Sequence, residues 1–338
     1  MRRKNSLVTG IIAVLAMGVL ILDAGTAVSG ATMGIQLCLQ TVIPSLFPFF
    51  VVSILLTGSV AGHTVSVLRP IGRLCGIPQG AEALLLTGLL GGYPVGAQVV
   101  AAAYQAGQLT KPDAQRMLGF CSNAGPAFLF GMLLPMFDNK EAVWVLWGIH
   151  ILSALLTAML LPGKSSRSVR LCSGPGVSLP QALERAVKAM AAVCGWVVVF
   201  RILIAFMQRW LLWLLPPTGQ VAVIGLLELS NGCLELMSIP RQGLRFLLCG
   251  IFIGLGGACV AMQTAGVTGE LGLGLYLPGK ILQTGFTAVL CGVCQMLLFP
   301  AQERFPVSWL AALILPLIAF AIFSGIKNSS RKLLEAGV

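Results

Sequence analysis

The chain is predicted to be an all-α polytopic membrane protein with about 8–10 transmembrane segments, arranged as two inverted repeats that each hold a broken helix and a re-entrant hairpin. Three observations predict it. Of 338 residues, 57% are hydrophobic and only 10% charged, far too little polar surface to coat a water-soluble globule of that size. Two of the hydrophobic stretches are interrupted at mid-length, by Gly91-Gly92-Tyr93-Pro94-Val95-Gly96-Ala97 and by Glu228-Leu229-Ser230-Asn231-Gly232-Cys233. Half of the 22 basic residues fall in three groups, before the first apolar stretch, between two halves and after the last.

Segments apolar enough to span run from Leu7 to Leu22, Leu46 to Gly62, Glu82 to Ala106, Met117 to Phe137 and Ala142 to Leu161 in the first half. In the second they run from Ala189 to Met207, Gly219 to Met237, Leu244 to Val267, Gln283 to Pro300 and Pro306 to Ile326. No period-two alternation marks an outer-membrane barrel, so the spans are helices. The start of the chain is basic, then apolar, then Asp23-Ala24-Gly25-Thr26-Ala27, a weak small-residue cleavage pattern. Because apolar chain follows at once, an uncleaved anchor is the expected role of this first span. Between the first break and the next span, Gly107 stops one helix and Thr110-Lys111-Pro112-Asp113 starts another, with Thr110 as N-cap.

The formal charge of +11 is spread over short loops and tails, which reports topology and not nucleic acid. Arg2, Arg3 and Lys4 precede the first span; Lys164, Arg167, Arg170, Arg185 and Lys188 fill the centre; Lys327, Arg331 and Lys332 follow the last. All three groups are expected in the cytoplasm, with both termini. Five segments between two cytoplasmic groups is an odd number of crossings, so one segment in each half must turn back. The expected organisation is an anchor over 1–30, a first repeat over 31–162, a basic linker over 163–188, a second repeat over 189–300, and a last span and tail over 301–338. Gly88-Leu89-Leu90 precedes the first break as Gly225-Leu226-Leu227 precedes the second. A small-residue cluster follows each, Cys121-Ser122-Asn123-Ala124-Gly125-Pro126 and Gly254-Leu255-Gly256-Gly257-Ala258.

Unwound backbone at membrane depth is tolerated only where it is buried in protein or lines a wet cavity, so paired breaks mark a binding site. Glu228 is the first candidate within it, an ionisable group beside freed backbone and short polar side chains. Arg201, in mid-segment, implies either an internal partner, with Glu228 favoured, or snorkelling toward the interface, while Glu235, nearer a segment end and Arg241, suits a solvated surface as well. Asn123 and Asn231 offer amides for a polar solute or for capping broken helices. Tyr93, before Pro94, suits stacking on a ligand or anchoring at the interface, its mid-segment position favouring the former, and Pro94, Gly125, Pro126, Ser230 and Gln263 complete the substrate-binding set. His63 and His150 have no companions at ligand spacing, Cys291-Gly-Val-Cys294 has no second pair, and no catalytic set appears. No metal, cofactor or enzyme activity is expected, and the ten cysteines read as compact hydrophobes.

Val42-Ile43-Pro44-Ser45-Leu46-Phe47-Pro48-Phe49-Phe50, then Gly91 to Ala97, then Phe120 to Pro126, then Glu228 to Gly232, in that order, resemble the sporulation integral membrane proteins of the YlbJ type. These belong with the nucleoside-recognition, or Gate, domain membrane proteins. The resemblance runs from about Ala31 to Leu290. It departs at Ala261, where relatives often carry a polar residue or His. It implies a multi-pass protein of the bacterial inner membrane, active in spore cortex or envelope formation, with two Gate-like repeats like those of solute carriers. The expected function is to bind or move a small polar solute, nucleoside-like or ion-coupled, by alternating access. The alternative is a scaffold or assembly factor that transports nothing. The lipid bilayer, the solute and a coupling ion are the expected partners; nucleic acid is not, and a homo-oligomer is compatible with the sequence.

Overall fold

The structure, a computed structural model, describes residues 2–60, 66–165, 167–169, 171, 176–306 and 308. His63, the expected last span beyond 308 and the basic tail lie outside the described residues.

Helix α1 (Arg2–Leu22) meets α2 (Ala24–Leu37) at Asp23, whose carboxylate accepts from Thr26 N at 3.3 Å. The expected boundary at residue 30 therefore falls inside α2. A wide π-turn over Cys38–Val42 leads into α3 (Ile43–Val60). It sits just before Pro44, whose ring would clash with the carbonyl four residues back in a regular turn. Gly30 and Gly34 of α2 let that helix lie against the backbone of Ile202 and Val198 in α10 (Leu179–Trp210). At 32 residues α10 is about 48 Å long, more than the roughly 30 Å hydrocarbon layer. Its N-terminus is fixed by a capping box between Ser178 and Gln181, ten residues before the expected linker end.

Among the described residues, six helical stretches are long and apolar enough to cross a membrane: Ala24–Leu56, Lys111–Met136, Glu141–Leu160, Leu179–Trp210, Gln242–Leu271 and Tyr276–Leu298. The protein is an all-α polytopic membrane protein. The expected span Leu7 to Leu22 is not among the six, its apolar stretch Gly10–Leu22 counting as a shorter helix. Nor are two more, Glu82 to Ala106 and Gly219 to Met237. Each is a pair of short helices folded back on itself: α5 (Glu82–Gly91) with α6 (Val95–Gln105), and α11 (Pro217–Leu227) with α12 (Leu229–Glu235). In a straight helix Gly88 and Gly96 would stand about 12 Å apart, yet a Cβ on Gly96 would meet Gly88 Cα at 3.0 Å. A Cβ on Gly232 would meet Gly225 Cα at 2.1 Å. Arms of 7 to 11 residues reach at most about half the hydrocarbon thickness. Broken helix and re-entrant hairpin, expected as separate features, are one feature in each half.

The two small-residue clusters break helices as well. Helix α7 (Lys111–Cys121), capped by Thr110 as expected, stops before extended backbone at Ser122 and Gly125, and α8 (Pro126–Phe128) resumes. Helix α13 (Gln242–Leu255) ends at Gly256, and α14 (Gly257–Thr268) begins after two successive left-handed residues, φ 79° and 78°, which only glycine adopts without strain. Unbroken helices α9 (Glu141–Leu160) and α15 (Tyr276–Leu298) pack beside these.

One core joins the halves: Phe50, Phe128 and Leu146 pack in the same cluster as Phe246, Phe252 and Val260. Arg116 of α7, 2% exposed, donates to the carbonyls of Cys75, Gly76, Ala158, Leu161 and Pro162. It satisfies the last-turn carbonyls of α9 with a positive charge. The linker is docked rather than free: Gln79 N donates to Arg167 O and Val169 N to Gln79 O, both at 2.8 Å.

Candidate functional site

All four helix breaks converge. A Cβ on Gly92 would lie 3.2 Å from Gly125 N, joining the two breaks of the first half. One on Gly257 would lie 3.2 Å from Leu226 O, joining the two of the second. Across the halves, Tyr93 Cζ would stand 3.2 Å from a Cβ on Gly256, and the Tyr93 hydroxyl donates to Ile253 O at 3.1 Å.

A cavity of about 50 Å³ opens between the breaks, lined by Tyr93, Gly125, Phe128, Glu228, Ser230 and Gln263 among others. Five of the nine residues expected to bind substrate share this wall. The other four sit behind it in structural roles. Pro94 is the N-cap of α6 and Pro126 the first residue of α8. Asn123 donates to Phe120 O at 2.7 Å, and Asn231 donates from its amide to Glu228 Oε2 at 2.6 Å. Both amides are capping groups of broken helices, one of the two roles expected of them. A volume near 50 Å³ has room for a few waters, well below the roughly 300–1,000 Å³ of pockets for drug-sized ligands.

Glu228 is 2% exposed and caps α12, its Oε1 accepting from Ser230 N at 3.0 Å and its Oε2 from Asn231 N at 2.7 Å. The carboxylate supplies the acceptors that the N-terminal amides of α12 lack. Arg201 does not pair with it. Its guanidinium donates to Gln208 Oε1 at 3.1 Å and to Met33 Sδ at 3.2 Å, and no ion pair joins Arg201 to a carboxylate among the described residues. A long side chain on the α2–α10 seam reaches along the helix toward polar company at its end.

The charge that the sequence reading passed over is Lys280 of α15, 0% exposed. The expected span began at Gln283, so Lys280 counted as a loop residue; the helix begins at Tyr276. Its ammonium donates to Gln283 Oε1 at 2.7 Å and to the Tyr93 hydroxyl at 3.2 Å, and stands 5.2 Å and 6.0 Å from the ring centroids of Tyr93 and Tyr276. It makes no ion pair among the described residues. Gln283 passes the chain on to Asn123 Oδ1 at 2.9 Å. Both ends of this chain rest on carbonyls in the last turns of broken helices, Ile253 O of α13 and Phe120 O of α7. There the intrahelical donors have run out.

His150 of α9, also 0% exposed, accepts from Ala124 N at 3.1 Å, so the ring steadies the α7–α8 break. Its Nδ1, with Oγ of Ser122 and of Ser153, has no hydrogen-bond partner among the described residues; such atoms are met by water or a ligand. A buried, unpaired ammonium within an apolar helix is the signal that could have found this cluster. No group of three metal-ligating side chains forms among the described residues, and the nine cysteines described are free, Cys291 packing into the notch at Gly250 rather than facing lipid.

Comparison with known proteins finds one curated relative to report. The sporulation integral membrane protein YlbJ of Bacillus subtilis (strain 168) is 31% identical over 134 residues, 38% of this chain and 32% of the relative. The match thus spans about a third of that protein's length, and it supports the YlbJ-type resemblance carried by the motifs. No family model matches the chain, and no solved structure matches it.

Proposed function

We propose that this is a carrier-like protein of spore formation, which holds a small polar solute bearing negative charge where the four broken helices meet and passes it by alternating access. The observation that carries the reading is Lys280, a buried ammonium with hydrogen-bond acceptors and two aromatic rings around it but no carboxylate. Removing a cation from water is costly unless a counter-charge compensates, and a solute anion is the counter-charge that a binding site would leave room for. Tyr93 lines the cavity and also touches Lys280, so movement of this one ring would open the cavity onto the ammonium. The paired hairpins give alternating access its structural basis, and kinship with Gate-domain carriers belongs to the same reading. Of the amides suited to base recognition, Asn123 and Asn231 are committed to Phe120 and Glu228, and Gln263 on the wall donates to Cys259 Sγ. The setting is the bacterial plasma membrane with both termini in the cytoplasm.

The rival reading, a membrane scaffold for spore cortex or envelope assembly, is favoured by the small volume at the centre. One comparison separates them. Metabolites of sporulating cells with and without the protein are compared, and compounds that differ are offered to proteoliposomes holding the wild type or Lys280→Gln. Uptake of an anionic metabolite that Lys280→Gln abolishes supports the carrier. Normal spores from cells making stable Lys280→Gln protein support the scaffold.

A further inference from the structure

We infer that the coupling ion is a proton and that Glu228 carries it, an inference that rests on the anionic-solute reading above. Glu228 lies on the cavity wall, and among the described residues its carboxylate is held by donors of its own helix, Ser230 N, Asn231 N, Asn231 Nδ2 and the Ser230 side chain. No cation pairs with it among the described residues. The titratable groups facing it are Tyr93 across the cavity, Cys38 of the π-turn, Cys259 of α14, Arg201 of α10 and Cys233 of α12. Only Arg201 among these is charged near neutral pH, and its guanidinium is turned to Gln208 and Met33.

The carboxylate is therefore a fixed negative charge on the wall of the space an anion must enter. Two like charges about 4 Å apart at the effective dielectric of a protein weaken binding by about a thousandfold. Protonation removes that penalty and turns one carboxylate oxygen into an O–H donor facing the solute. It also weakens the charge-assisted cap at the start of α12, so the event that admits the anion also loosens the hairpin that must move. One proton from bulk water binds Glu228 as one anion enters, and both leave on the other side. For a monovalent solute the exchange carries no net charge. The sign follows: solute binding is strong below the Glu228 titration and weakens as pH rises through it.

The test uses the full chain in nanodiscs with sodium benzoate and sodium acetate as probe anions, at pH values where the probes stay ionised, and benzamide and acetamide as uncharged controls. At pH values above the Glu228 titration, anion binding to the wild type is expected to take up about one proton per protein, read with a pH indicator, and to raise a carboxylic-acid carbonyl band in infrared difference spectra. Affinity is expected to fall about tenfold per pH unit above the titration, while Glu228→Gln, near in shape and still able to accept a hydrogen bond, binds with no such band and a flat profile. Anion binding without proton uptake overturns the inference and leaves the anionic reading standing. So does a pH slope that survives in Glu228→Gln, which would belong to another group, Lys280 first. Failure of both anions to bind removes the anionic reading and this inference with it.

Discussion

The ammonium of Lys280 stands 5.2 Å from the ring centroid of Tyr93 and donates to the same residue's hydroxyl at 3.2 Å. These residues lie 187 positions apart, one in the first-half hairpin and one in the last described long helix. Their contact ties the cavity to the buried cation, and it makes the cation a test of what the centre is for.

If Lys280 serves a solute and not the fold, Lys280→Met should cost the protein little. The substitution keeps an unbranched side chain and removes the desolvation cost of a lone charge, which offsets the loss of the donor to Gln283 Oε1. The thermal midpoint in detergent is expected to stay level or rise, with stability lost by no more than about 1 kcal/mol, while solute uptake disappears. A steep fall in the midpoint would mark Lys280 as structural.

The glycine contacts at the hairpins predict a sharp contrast. A Cβ on Gly88 would stand 1.8 Å from Cys121 O and one on Gly232 2.1 Å from Gly225 Cα, both backbone atoms that cannot swing away. Gly88→Ala and Gly232→Ala are each expected to destabilise by at least about 3 kcal/mol. Gly148, inside α9 with nothing within 4 Å of its added Cβ, is the control: Gly148→Ala should stabilise by about 0.5–1 kcal/mol. Midpoints for the three variants, measured side by side, check this.

Arg201 and Glu228 should couple only weakly, since they face each other without forming an ion pair among the described residues. With the guanidinium bound to Gln208 and Met33 and the carboxylate bound to the start of α12, the double variant Arg201→Gln, Glu228→Gln is expected to show the sum of the single effects within about 0.5 kcal/mol. Mutual rescue in stability or uptake would contradict the geometry.

Much of this was legible in the sequence. The membrane class followed from composition, the breaks from Gly, Pro and intramembrane Glu, and the start of α7 from Thr110, Pro112 and Asp113, because each is a local property of the chain. Tyr93, Gly125, Glu228, Ser230 and Gln263 were found as cavity residues for the same reason: they are at or near the breaks, and the breaks had to be buried.

What tertiary structure alone decided is where each freed backbone group finds its partner. Hydropathy sees a hairpin of two short apolar arms and a single spanning helix as the same run of residues, so the folding back at Gly88 and Gly96 was invisible until the arms met. Lys280 looked like the edge of a loop until α15 was seen to start at Tyr276. Asn123 and Asn231 looked free until Phe120 O and Glu228 claimed them. Local sequence determines which groups are left unsatisfied; packing between distant segments determines what satisfies them, because hydrogen bonds and charge contacts act only over a few ångströms in space, whatever the separation along the chain.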